Sequence, residues 1–175
     1  MINLRTLKLD RYNINYESLK KEFDNDSKSK FIHDVSRRLI SSSALDENLL
    51  REAYVVLDDG IPIGYVYISG NSNDEVYVEI SILKSQRKKG YGKRILTEVS
   101  DYLFEKNIRI VKVNIEPSNI GSINMVDSCD FLLDEEDYEN NHYTGKMTFY
   151  KENEYYVDKR RKWNNENNIM ECSWF

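Results

Sequence analysis

Proline occurs twice and glycine seven times in 175 residues, so few breakers interrupt the chain and no repeat or low-complexity linker divides it. Its two cysteines, Cys129 and Cys172, have no CxxC or Cys/His spacing. That leaves no sign of a disulfide framework or a zinc site. The two histidines, His33 and His142, are isolated and read as satisfied or solvent-facing side chains; no metal is expected. No apolar run reaches the ~18 residues of a membrane span, and the residues after Met1 lack an apolar core of signal-peptide length. A cytoplasmic, reducing setting is the expectation. Positive charge is also short, with 25 Lys and Arg against 30 Asp and Glu, a net charge of -5. This argues against a broad grip on nucleic acid or an anionic membrane. Any anion the protein binds must be met locally.

What is present is globular. Hydrophobic residues make up 40% and charged residues 31%, outside the range of disordered or fibrous chains. Thirteen tyrosines supply apolar area that few leucines and valines would otherwise leave missing. The length suits one domain with one core.

Residues 2 to 9 alternate weakly and predict a first strand. Residues 15 to 24 and 29 to 45 carry a helical period, the second through Phe31, Val35, Leu39 and Ile40. The centre then changes period: residues 52 to 58 predict a strand, Asp59-Gly60 a hairpin turn, 61 to 69 a second strand, and 76 to 82 a third. That is an antiparallel meander. Helical spacing returns from Tyr91 to Glu105 through Ile95, Val99, Tyr102 and Leu103. A strand over 109 to 115, a short helix over 119 to 129, and two strands over 131 to 133 and 143 to 150 complete the pattern.

The chemistry-bearing stretch is Gln86-Arg87-Lys88-Lys89-Gly90-Tyr91-Gly92-Lys93, between an alternating strand and an amphipathic helix. Two glycines two apart permit a tight turn with inward amides, and the helix adds its positive end. With Arg94, this is a dense basic segment in an acidic chain. Such an arrangement suits a phosphate or pyrophosphate; the plainer reading is a glycine-capped basic turn. The spacing fits neither a Walker loop nor a dinucleotide fingerprint, whose third glycine position is Ile95.

Arg87-x-x-Gly90-x-Gly92, together with this element order over residues 2 to 150, resembles the GNAT family of N-acetyltransferases. The resemblance implies an α/β fold: a mixed, mostly antiparallel sheet of six to seven strands, flanked by helices and splayed at the central strands. It implies acetyl-CoA as co-substrate, with Ile82 and Leu83 offering backbone groups to its acyl and pantetheine parts. Residues Arg87, Lys88, Lys89, Gly90, Tyr91, Gly92 and Lys93 would hold the pyrophosphate, mainly through main chain. Asn119-Ile120-Gly121-Ser122 matches the family's Asn-x-x-Ala/Ser, which places Asn119 and Ser122 toward the cofactor. Asn119 also reads as a plain helix N-cap.

The chain departs from the family pattern at two places. Val126 stands where many members carry a Tyr acid, and Asp130 where Gly commonly precedes Phe131. A thiol pKa of roughly 8.5 makes thiolate a tolerable leaving group without that acid; Cys129, Tyr138 and Tyr143 are conceivable substitutes. An attacking amine, with a pKa of about 10, must first lose a proton. Glu79 is the candidate base, or else an ion-paired strand glutamate, and the N-H near Leu83 is a candidate oxyanion donor.

The run Asp134 to Glu139 reads either as a wall favouring a cationic amine or as a solvated loop. The extension, residues 151 to 175, reads as a helix packing Tyr155, Tyr156 and Trp163 on the domain, or as a homodimer contact. The expected activity is acetyl transfer to a primary amine of a small molecule or peptide. A non-catalytic acyl-CoA-binding module and an interaction domain built on the aromatic tail stand as alternatives.

Overall fold

The computed structural model describes residues 4–8, 49–71, 74–136 and 145–171. Seven strands form one sheet. In spatial order they are β1 (Leu4–Lys8), β2 (Leu49–Asp58), β3 (Ile61–Asn71), β4 (Glu75–Ile82), β5 (Ile110–Ile115), β7 (Met147–Glu152) and β6 (Leu132–Leu133). Every neighbouring pair is antiparallel except β4–β5. Helix α1 (Tyr91–Glu105) connects those two parallel strands, α2 (Ile120–Asp127) follows β5, and α3 (Glu154–Glu171) follows β7. The two helices expected over 15 to 24 and 29 to 45 lie outside the described residues, as do His33, Tyr138, His142, Tyr143 and Cys172.

The meander forms as its period requires. Asp59 and Gly60 both have positive φ, 49° and 80°, the conformation that a two-residue turn between right-twisted strands selects. One residue later the register shifts: Leu57 faces Pro62 and Val56 faces Gly64, leaving Ile63 as a bulge. Alternate residues Val56, Val66, Ile68, Val76, Val78, Val111 and Val113 pack with Ile95, Leu96 and Leu103 of α1 into one core. Leu96, absent from the predicted stripe, is fully buried, while Val99 and Tyr102 are half-buried.

Helices α1 and α2 end alike. Ile108 N-H donates to Leu103 O and Asn107 N-H to Phe104 O at the end of α1; Phe131 N-H donates to Val126 O and Asp130 N-H to Asp127 O after α2. These are Schellman closures, which require a left-handed residue. Asn107 (φ 63°) and Asp130 (φ 62°) supply it. Asp130 therefore occupies a position whose backbone suits glycine, with Val126 and Phe131 buried together beneath it.

At the far end of α1, Tyr54 Oη donates to Glu52 Oε2 at 2.6 Å, and Tyr102 Oη lies 3.3 Å from both. The pair walls a cavity of about 190 Å³ floored by Val56, Val66, Ile68 and Ile95. Helix α3 is rooted by buried Asn153, whose Nδ2 donates to Phe104 O and Ile108 O, both at 3.2 Å. The packing expected of Tyr155 is not observed: its side chain is 64% exposed, and Tyr156 makes the contact, its Oη 3.3 Å from Asn107 O.

Candidate active site

Strands β4 and β5 pair at three positions only, Glu75 with Ile110, Val76 with Val111, and Tyr77 with Lys112. Past Tyr77, β4 stays with β3 as far as Ile82 opposite Gly64, and β5 stays with β7 as far as Ile115 opposite Met147. The sheet forks there, as the resemblance implied. Lys112, almost buried at the crotch, places Nζ 3.4 Å from Glu75 Oε2 and 3.4 Å from Asp134 Oδ2. Asp134, the first member of the acidic run, thus pairs with Lys112 at the fork; Glu135 and Glu136 are exposed.

Ladder alternation decides which β4 main-chain groups face the fork. Leu83 N-H donates to Ile63 O at 2.9 Å, so Leu83 and Ser81 face β3, whereas Ile80 and Ile82 face the opening. The Leu83 N-H, expected as an oxyanion donor, is thus engaged by Ile63 and does not face the fork. Glu79 is exposed on β4, opposite Tyr67 and two residues beyond the last β4–β5 pair.

The basic loop follows at once. A 3-10 turn over Lys84–Gln86 leads into Arg87, whose Nε donates to Ile82 O at 3.0 Å. Lys89 Nζ donates to Gln86 Oε1 at 2.8 Å. Lys88 (φ 62°) and Gly90 (φ 80°) are both left-handed, a conformation that builds anion-binding concavities. Gly90 caps α1 without a side-chain bond, and the first turn holds no acidic residue. Its first amides and the exposed side chains of Arg87, Lys88, Lys89 and Lys93 fit an anion by charge and by donor set. Gly92 serves a different end: a Cβ there would stand 2.6 Å from Met125 Sδ, so its absence lets α1 begin close against α2.

Asn119 is the N-cap of α2, its Oδ1 accepting from Ser122 N at 3.2 Å. Val126 is fully buried. Cys129 is 5% exposed, its Sγ 3.8 Å from Lys93 O. Among the described residues no group of three His, Cys, Asp or Glu side chains is placed to hold a metal ion.

The acetyltransferase (GNAT) family model matches residues 13–131, more than half of the chain. The chain belongs to the GNAT family. Solved GNAT structures share its fold at low identity. A point mutant of spermidine N-acetyltransferase SpeG from Vibrio cholerae superposes with a TM-score of 0.60 at 17% identity, covering 90% of this chain and 98% of that one. N-acetyltransferase PseH from Campylobacter jejuni, in complex with acetyl coenzyme A, gives 0.61 at 16%, covering 87% and 99%. A GNAT acetyltransferase from Elizabethkingia anophelis with acetyl-CoA bound gives 0.58 at 14%, covering 86% and 98%. No curated protein is significantly similar in sequence. No helix among the described residues is long and apolar enough to cross a membrane.

Proposed function

We propose that this GNAT protein transfers an acetyl group from acetyl-CoA to a primary amine of a small molecule or peptide. The observation that carries the reading is the fork past Tyr77 and Lys112 opening beside the start of α1, whose cap Gly90 makes no side-chain bond. One feature suits a thioester arm and the other a pyrophosphate. Acetyl-CoA supplies the activated acyl group. Arg87 to Lys93 hold its pyrophosphate through the α1 amides and local positive charge, and the main chain of Ile80 and Ile82 lines the fork. Asn119 uses Oδ1 as a cap and has Nδ2 left to donate. Glu79 takes the proton that the ammonium must lose before its nitrogen can attack. With Val126 buried, solvent protonates the departing thiolate.

Buried Val126 also favours a second reading, an acyl-CoA-binding module without turnover. Two assays decide. Acetyl-CoA at about 100 times its Kd is expected to stabilise the protein by roughly 2.7 kcal/mol, and Gly90→Glu to abolish that stabilisation. Thiol release is then measured across a panel of polyamines, aminoglycosides, amino acids and peptides. Binding without release from any amine supports the module; no binding at all rejects both readings.

A further inference from the structure

Tyr91 is the side chain held between the two loop glycines, and it points away from the loop's basic face. Its Oη donates to Asp58 Oδ2 at 2.5 Å, across to the last residue of β2. That bond pushes the Tyr91 phenol above its ordinary pKa, with partial burial adding to it. The other carboxylate oxygen, Asp58 Oδ1, is buried and has no hydrogen-bond partner among the described residues. Among those residues Tyr91 is the donor to this carboxylate.

The surroundings give the bond its meaning. Gly92 packs against Met125 of α2, but Gly90 is left-handed with nothing within 4 Å of where a Cβ would be, so on the loop side of Tyr91 no side chain anchors the turn. Arg87, Lys88, Lys89 and Lys93 are exposed. Asp58, by contrast, is held in the sheet as the last residue of β2, paired with Leu4 of β1 and Ile61 of β3.

We infer that Asp58 and Tyr91 are positioning residues: the Asp58 carboxylate, through the Tyr91 phenol, braces the Gly90-Tyr91-Gly92 turn against the β2–β3 hairpin. The brace holds the first α1 amides in the orientation that receives a pyrophosphate. It rests on the proposed acetyl-CoA reading for its consequence, but its structural content does not require a ligand. A loop ordered beforehand loses less entropy when an anion arrives.

Hydrogen exchange of the free protein tests the brace itself. In Tyr91→Phe, the Arg94 amide, which donates to Gly90 O across this turn, exchanges at least about tenfold faster than in the unaltered chain, while β5 amides keep their rates. Unchanged loop exchange overturns the inference whatever acetyl-CoA does. The second arm compares CoA with S-acetylpantetheine, which lacks the pyrophosphate. Affinity for CoA falls about tenfold in Tyr91→Phe, the scale of one charge-assisted hydrogen bond, and that for S-acetylpantetheine by less than about twofold. Equal losses for both ligands overturn it, since they indicate general damage.

Tyr91→Phe also strands a buried carboxylate, so the double variant Asp58→Asn, Tyr91→Phe separates stability from bracing. Its melting temperature recovers, while its loop stays fast to exchange. Recovery of both together overturns the inference. If the unaltered protein ignores CoA yet its loop loosens in Tyr91→Phe, the acetyl-CoA reading fails and the brace stands.

Discussion

Gly64 and Ser81 approach so closely that a Cβ on Gly64 would stand 2.0 Å from the Ser81 carbonyl oxygen. The obstruction is backbone, so no side-chain rotation relieves it. Gly64→Ala must push β3 away from the end of β4 that leads into the fork. The expected cost is about 2–3 kcal/mol, the upper range for overpacking, seen as a fall in melting temperature of roughly 5–10 °C for a chain of this size. Acetyl-CoA affinity should fall with it, because Ile82 lies opposite Gly64.

Asp130 presents the opposite case. Its side chain is exposed and its φ of 62° is one that L residues resist. Asp130→Gly is expected to stabilise the protein by about 1 kcal/mol, by relieving the left-handed backbone at the α2 closure. Urea unfolding at neutral pH checks the sign: a midpoint that does not rise contradicts the account.

Asn153 joins β7, α1 and α3 at one point, and its Oδ1 also accepts from Tyr155 N-H. Asn153→Ala leaves the Phe104 and Ile108 carbonyls without that donor and removes the cap of α3. The expected loss is about 2–3 kcal/mol, with a smaller helical signal in circular dichroism if α3 frays first.

The Tyr54 phenol is held well above its ordinary pKa, first by burial and then by the Glu52 carboxylate that accepts its proton. Because the folded value is the higher, the unfolded chain releases this proton first. The contribution is complete below the unfolded value of 10.0 and is lost as pH rises above it. Stability measured from neutral pH to about pH 11 should fall at the alkaline end, and Tyr54→Phe should flatten that fall.

Glu79→Gln tests the base. With an active amine identified, kcat should fall by about 10²–10⁴-fold, while stabilisation by acetyl-CoA persists. Turnover that survives at neutral pH assigns the proton to water instead.

The local features were legible in sequence because they obey short periods. The β2–β3 turn, α1 with its bounds, and the basic glycine loop all came from spacing within a few residues. That the Leu83 N-H goes to Ile63 was not legible, because the direction of a strand amide depends on its partner's register, which local alternation does not carry. The Asp58–Tyr91 bond joins residues whose proximity arises only when the hairpin folds back against α1. Strand β7 runs on to Glu152, past the expected end at Tyr150, because Ile110 pairs with it; Lys151 and Glu152 give no strand signal of their own. Val126, read as a lost acid, is also a core residue whose burial no single position reveals.

The ladder between β4 and β5 is three residue pairs long, ending at Tyr77 and Lys112. The sheet is therefore two plates on a short seam, with Lys112 riveting Glu75 of one plate to Asp134 of the other. From Tyr77 to Ile82 is a lever arm of roughly 16 Å at about 3.3 Å per residue, so a rotation of about 5° about the seam moves the Ile82 end by about 1.4 Å.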